Sequence, residues 1–308
     1  MAPQTLARIQ IVAAAALFST GGAAIKIASF DGGFSNWQVA SFRALIASIA
    51  FLAMVKEARR LPKKLEVLCA IVYAGSMVSF VTANTLTLAA NVIFLQSTAP
   101  LFVMLLGPWL LKERLRTRDF GFLFAFAVGT AILLSGETHA AGSAPNPKLG
   151  NIIALLAGVL WAFSVTGLRF ASRQGGTSAT VVATGNVLAF VLCLAPALIA
   201  KGGGLYPVEH FLSAKAWGAL GYLGVFQIGL AYFSLTRGIK HVTALEASLL
   251  LMVEPVMNPV WAFIFQGERP GTMIVLGGIF LSAVTIVMAW MESKRPLTAI
   301  PKMVEERA

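Results

Sequence analysis

The sequence predicts an all-α integral membrane protein of ten transmembrane helices, built as two inverted five-helix repeats. Three observations predict it. Of 308 residues, 57% are hydrophobic and only 12% charged, at a mean hydropathy of +0.79; a soluble chain of this length cannot hide so much apolar surface. Apolar runs long enough to cross a bilayer recur ten times. The chain also matches itself at a fixed offset, with the second half entering the membrane in the opposite sense.

The runs fall at about 9–29, 36–55, 65–87, 89–111, 120–135, 149–168, 178–200, 213–235, 243–265 and 271–291. The first, Ala-rich and preceded by Arg8, imitates a secretory signal; its match to the sixth run argues that it is a retained span. The second run carries Arg43. The third presents Tyr73, Met77, Phe80 and Asn84 at near-helical spacing. The fourth places Gln96, Ser97 and Thr98 before Pro100. The sixth has Trp161 near its middle, and the eighth combines Gln227 with Gly218, Gly221 and Gly224, small residues that permit close helix contact. The ninth holds Glu254, Asn258 and Trp261 at i, i+4 and i+7, hence on one helix face. The fifth, seventh and tenth are apolar with few polar groups.

The repeat is read by sliding the chain against itself. An offset of 143 pairs Phe18 with Trp161, Lys26 with Arg169 and Val39-Ala40 with Val182-Ala183; an offset of 155 pairs Ala89 with Ala244, Pro100 with Pro255 and Glu113-Arg114 with Glu268-Arg269. The collinear order implies duplicated halves at 1–135 and 149–291, joined by a linker at 136–148 and followed by a tail at 292–308. Five crossings per copy is odd, so the copies are inverted. Inverted copies pack about a two-fold axis in the membrane plane, with a mid-depth site between them that can open alternately to each side.

Charge placement sets the expected orientation. Eighteen of the 24 Lys and Arg residues fall on the side that holds both termini, five on the other, and Arg43 within a span. The positive-inside bias then puts both termini in the cytoplasm. The net charge of +11 is read as topology and attraction to anionic lipid, with no nucleic-acid partner. Cys69 and Cys193 lie singly, and His139, His210 and His241 are scattered, so no metal site, disulfide or cofactor is expected. Connections are too short for a folded domain outside the membrane.

Glu254 raises the sharpest question. A charged acid near the bilayer centre costs roughly 2.5–3.5 kcal/mol on the insertion scale, so it should face a polar cavity, find a partner or stay protonated. Three roles remain open: anchoring a substrate ammonium, coupling to protons, or pairing with Arg43. Arg43 lies roughly 10 Å inside its span, within snorkelling reach of the surface, as either a carboxylate site or a structural brace. The candidate substrate-binding set is Glu254, Asn258, Trp261, Gln96, Asn84, Phe80, Tyr73, Trp161, Gln227 and Arg43. Pro100, Pro255 and Pro259 are candidate hinges, since proline removes a helical hydrogen bond and clashes with the preceding turn.

The patterns LFSTGGAAIK at the first span, VASFRALIA around Arg43, APLF at Ala99–Phe102 with the following KER, and their later counterparts EPVMNP and GER, resemble the drug/metabolite transporter (DMT) superfamily in its ten-helix EamA-type branch. The resemblance covers essentially the whole chain. It implies a secondary exporter of amino acids or related small metabolites across the inner membrane, with multidrug or sugar-like cargo as the alternative within the same fold. The second copy departs from it by carrying Asn186 opposite Arg43, confining any charge role to one half. From the residues themselves, ATP is disfavoured as direct energy source because no GxxxxGK[ST] occurs. A membrane enzyme is disfavoured because no HExxH, GxSxG or Asp pair is present, and a channel because no ring of repeated polar residues is evident. The partners expected are a small amino acid or amphipathic metabolite, the bilayer and, as one option, protons.

Overall fold

A computed structural model describes residues 3–111, 117–135, 144–199, 212–251, 253–269 and 271–293. Ten helices run through them: α1 (Gln4–Asp31), α2 (Asn36–Met54), α3 (Lys64–Leu86), α4 (Ala89–Leu110), α5 (Thr117–Ser135), α6 (Pro147–Arg173), α7 (Ser178–Leu198), α8 (Ala214–Gly238), α9 (Glu246–Gln266) and α10 (Thr272–Ser293). Eight are long and apolar enough to cross a bilayer outright, and α5 and α10 contribute shorter apolar cores. The expected KER at 112–114, the Gly-rich connection at 201–211, much of the linker and the tail lie outside the described residues, as do His139 and His210.

Local sequence explains where helices begin. Ser35 accepts from the Gln38 backbone while the Gln38 side chain accepts from the Ser35 backbone, a reciprocal cap that starts α2. Asn146 followed by Pro147 starts α6, Thr177 starts α7 and Ser213 starts α8, each hydroxyl or amide satisfying an amide N–H that the first turn leaves free. At the other end of α9, Gly267 adopts φ +64 and its N–H donates to the Phe263 carbonyl at 3.0 Å, which closes the helix and turns the next residue, Glu268, back over the bundle.

Three helices are interrupted near mid-depth. α4 breaks at Ser97-Thr98, whose hydroxyls bond back to the Ile93 and Leu95 carbonyls, and Pro100 opens its second half. α9 breaks after Leu250, and Pro255 lies in the first turn of the second half. These two breaks match the prolines expected at equivalent depths. Pro259 differs from expectation: it sits inside the continuous segment Val253–Gln266 and interrupts nothing. α1 breaks at Ser19-Thr20 without any proline, and its counterpart α6 is unbroken over 27 residues. Thr20-Gly21-Gly22 explains the difference, since a Cβ at Gly22 would stand 2.9 Å from the Ala89 Cβ and 3.0 Å from Asn84 Oδ1. In α8 the stretch Leu223–Leu230 winds as a wider π-helix.

The packing pattern obeys the inverted repeat. The most extensive contacts join helices from opposite halves: α1 with α8, α3 with α6, α4 with α6, α2 with α7, α3 with α7, α5 with α10 and α2 with α8. Exchanging each helix for its counterpart turns α3·α6 into α8·α1 and α3·α7 into α8·α2, while α2·α7 and α5·α10 map onto themselves. The chain is therefore two interlocked halves around one centre, with α5 and α10 at the edge.

Close approach of α3 and α7 depends on Gly185, where an added Cβ would fall 2.3 Å from Tyr73 Cδ1. Tyr73 is fully buried and held by Asn186, so it has no free space to swing into. Gly185→Ala is expected to destabilise the folded protein by about 1–3 kcal/mol, the usual cost of overpacking, read as a lower melting temperature in detergent. An unchanged melting curve would show that this contact is not tight.

Candidate functional site between the halves

Where the halves meet, side chains from seven helices enclose a small cavity of about 20 Å³, room for about one water molecule. Arg43 from α2, Gln96 from α4, Gln227 from α8 and Glu254 from α9 supply polar groups, and Phe18, Phe80, Trp161 and Tyr232 supply aromatic walls; Met77 and Ile228 complete it. In this state the cavity is closed around a volume too small for a metabolite, so a cargo enters only with movement of the surrounding helices. A larger apolar groove of about 480 Å³ lies between α5 and α10, lined by residues such as Phe122 and Val287. It has no polar group to orient a ligand and sits at the rim of the bundle.

Six of the expected residues thus converge: Glu254, Gln96, Phe80, Trp161, Gln227 and Arg43. Arg43 corrects the sequence expectation, because it does not snorkel to the surface. It is 1% exposed and donates to the Met77 carbonyl at 3.1 Å. The reason is packing: α2 lies against α3, α7 and α8, so the route along the helix to the headgroups is filled by protein and the cavity is the nearest polar space. Nor does Arg43 pair with Glu254. Among the described residues the Glu254 side chain accepts no hydrogen bond and forms no ion pair, and the side-chain amides of Gln96 and Gln227 are likewise without protein partners. The cavity therefore holds one guanidinium, one carboxyl group and two amides not engaged with one another.

The other four expected residues stand elsewhere. Tyr73 backs the wall, with its ring 5.1 Å from that of Tyr232 and its hydroxyl accepting from Asn186 at 3.0 Å. Asn84 donates to the Phe80 carbonyl within its own helix. Asn258 and Trp261 share a face with Glu254 as expected, yet they bond α1 instead of lining the cavity. Asn258 donates to the Ser19 carbonyl at 2.9 Å and Trp261 Nε1 to the Ser19 hydroxyl at 3.0 Å. The break in α1 exposes the Ser19 carbonyl at that depth, and Asn258 satisfies it, as hydrocarbon could not, while Trp261 holds the adjacent hydroxyl.

Sequence reading missed three wall residues, Phe18, Tyr232 and Ile228. Tyr232 is the hub of the wall, its ring 5.0 Å from Phe18, 5.1 Å from Tyr73 and 6.3 Å from Trp161 in edge-on contacts. The offsets held the signal: Phe18 aligns with Trp161 at 143, and Tyr232 with Met77 and Ile228 with Tyr73 at 155. Lys26, one of the five cations on the side away from the termini by sequence, does not lie in a loop. It is buried, pairing with Glu268 at 2.9 Å and donating to the Thr87 carbonyl at 3.0 Å.

Ten crossings in inverted halves, closed around a central polar and aromatic cavity, define a multi-pass membrane transporter. Residues 5–135 and 148–290 each match the EamA-like transporter family, and the chain belongs to that family, within the DMT superfamily. It is 25% identical to an uncharacterised transporter of Clostridium kluyveri, over 91% of each chain. It is 28% identical to the aromatic amino acid exporter YddG of Ancylobacter novellus, over 52% of each. It is also 28% identical to the uncharacterised transporter YdfC of Bacillus subtilis, over 80% of this chain and 79% of that one. A crystal structure with 19% identity superposes with a TM-score of 0.66, covering 94% of this chain and 98% of its own, and supports the fold.

Removing the donors at the α1 break should act on stability. Asn258→Ala leaves the buried Ser19 carbonyl unsatisfied and is expected to cost about 1–3 kcal/mol; Trp261→Phe should cost less, since Ser19 Oγ also donates to the Ala16 carbonyl. Thermal denaturation in detergent checks both. Equal midpoints for Asn258→Ala and the parent would show that these bonds do not hold the break.

Proposed function

We propose that this protein is a secondary exporter of amino acids or related small metabolites, working by alternating access across the bacterial inner membrane with both termini cytoplasmic. The observation that carries the reading is the cavity in which Arg43 and Glu254 stand unpaired among aromatic rings. A free amino acid presents a carboxylate and an ammonium a few ångströms apart. Arg43 suits the carboxylate as a charged donor, Glu254 suits the ammonium, and Phe18, Trp161 and Tyr232 offer faces and edges to an apolar or aromatic side chain. Binding such a cargo would satisfy both buried charges at once, which gives the loaded cavity a stability that the empty one lacks.

Two further observations support the reading. The aromatic amino acid exporter among the relatives has a cargo of this chemistry. The excess of Lys and Arg on the side of the termini supports the orientation. Proton coupling through Glu254 is compatible with the same site: the carboxylate could carry a proton on one leg of the cycle and the cargo ammonium on the other.

The test is counterflow in proteoliposomes with a panel of amino acids, cationic drugs and sugars, with and without a pH gradient. Accelerated exchange of aromatic or large apolar amino acids is expected, and exchange confined to drugs or sugars would overturn the assignment. Glu254→Gln is expected to fold, to weaken amino-acid exchange by at least tenfold, and to flatten its dependence on pH. Unaltered kinetics across pH would remove Glu254 from the site.

A further inference from the structure

α1 and α9 come from opposite halves, run in the same direction and are joined at three levels. At mid-depth, Asn258 and Trp261 bond Ser19. On the side that holds the start of α1 and the end of α10, Arg8 Nε meets Glu246 Oε1 at 2.8 Å; on the opposite side Lys26 Nζ meets Glu268 Oε1 at 2.9 Å. Arg8 lies ten residues before Phe18 and Glu246 eight before Glu254, while Lys26 lies eight after Phe18 and Glu268 fourteen after Glu254. At helical rise the two pairs stand roughly 12–21 Å to either side of the cavity. Both helices are interrupted between their two ion pairs, α1 at Ser19-Thr20 and α9 after Leu250. A break lets one half of each helix swing without moving the other.

The two pairs are unequal. Arg8 and Glu246 are 37% and 14% exposed in their side chains, so water and salt screen them. Lys26 and Glu268 are 0% and 1% exposed, and the surroundings fix both. Lys26 also caps the C-terminus of α3 through the Thr87 carbonyl, and Glu268 Oε2 accepts from the Ala89 N–H at the start of α4 at 3.0 Å. Parting that pair gives up an ion pair and two backbone bonds together, whereas parting the exposed pair gives up one screened contact. Of the remaining buried acids, Glu254 faces the cavity and Glu66 ties α3 to the start of α7 through the Thr177 N–H at 2.7 Å. Glu66 belongs to the interlocked wall of α2, α3, α6 and α7 and does not cross the α1/α9 seam.

We infer that the Arg8–Glu246 and Lys26–Glu268 pairs are the two gates of the carrier, hinged on the Ser19 contacts, and that their unequal burial makes the empty protein open more readily toward the side of its termini. The inference rests on the alternating-access reading of the cavity and adds which side receives cargo first. If the termini are cytoplasmic, the bias loads cargo from the cell interior. Opening of the far gate then requires that the buried pair give up its bonds to Thr87 and Ala89, a step that cargo binding near the hinge can promote by drawing Glu254 and α9 inward.

A single cysteine replacing Ile228, in a background with Cys69→Ala and Cys193→Ala, reports cavity access to a membrane-impermeant maleimide applied from either side of oriented vesicles. Without cargo, the parent should label at least fivefold faster from the side of the termini. Lys26→Met should reverse or abolish that preference. Glu268→Gln, which keeps an acceptor for Ala89, should act in the same direction if Lys26→Met fails to fold. Arg8→Ala should change the ratio by no more than about twofold, as for a screened surface pair, and raising the salt should mimic it in the parent. Equal or opposite labelling of the parent, or a larger shift from Arg8→Ala than from the variants of the buried pair, would overturn the inference. Labelling needs no cargo, so failure of amino-acid exchange with the expected labelling would count against the proposed cargo and leave the gates standing.

Discussion

A broken helix inside a bilayer must find hydrogen-bond partners within the protein, because hydrocarbon provides none. That requirement organises this molecule. α1, α4 and α9 are all interrupted within their spans, and the breaks in α1 and α4 are answered across a seam and locally. In α4 the Ser97 and Thr98 hydroxyls turn back onto their own helix. In α1 the freed Ser19 carbonyl is met by Asn258 from the other half. The answer to one break therefore becomes the contact that joins the two halves, and the cavity lies directly beside it.

The cavity itself is arranged against the usual economy of a protein interior. Buried charges ordinarily pair or are solvated, yet Arg43 is held by a backbone carbonyl and Glu254 by no protein group among those described. Elsewhere the chain follows the ordinary rule closely. Lys26 and Glu268 pair and are capped by backbone groups, and Glu66 accepts from Arg60, from the Lys63 N–H and from the Thr177 N–H. Among the buried charged groups of the described residues, Lys26, Glu66 and Glu268 at the periphery are paired, whereas Arg43 and Glu254 at the centre are not paired with one another.

The two repeats share a backbone plan and differ in chemistry. Their contacts interchange under the pseudo-two-fold, and the cations Lys26 and Arg169 each cap the end of the third helix of their own half, through the Thr87 and Ile239 carbonyls. The centre is not symmetric. Arg43 faces Asn186 in the repeat, Gln96 faces Leu251, and Glu254 faces Ala99. A break in α1 and a π-helical stretch in α8 have regular counterparts in α6 and α3. Duplication supplied two equivalent backbone halves, and divergence left their centres chemically unequal.

Composition, ten apolar runs and the 143/155 offsets were enough to specify ten helices in two inverted halves, because membrane insertion is governed by local hydrophobicity and a duplicated pattern is visible in linear order. The breaks beside Pro100 in α4 and Pro255 in α9 were legible for the same reason, since proline acts on its own turn, although Pro259 lies within a continuous segment. The direction in which a side chain points was not legible. Glu254, Asn258 and Trp261 occupy one face in sequence, but only the position of α1 decides that the first meets a cavity while the other two meet a backbone carbonyl. Likewise Arg43 could reach the headgroups from α2 alone, and is turned inward because α3, α7 and α8 close that route. Lys26 reads as a loop cation until Gly267 turns Glu268 back onto it. Local sequence determined the elements and their order across the bilayer, whereas the pairing of buried polar groups was decided by which distant helix stands opposite, a quantity that exists only once the two halves have interlocked.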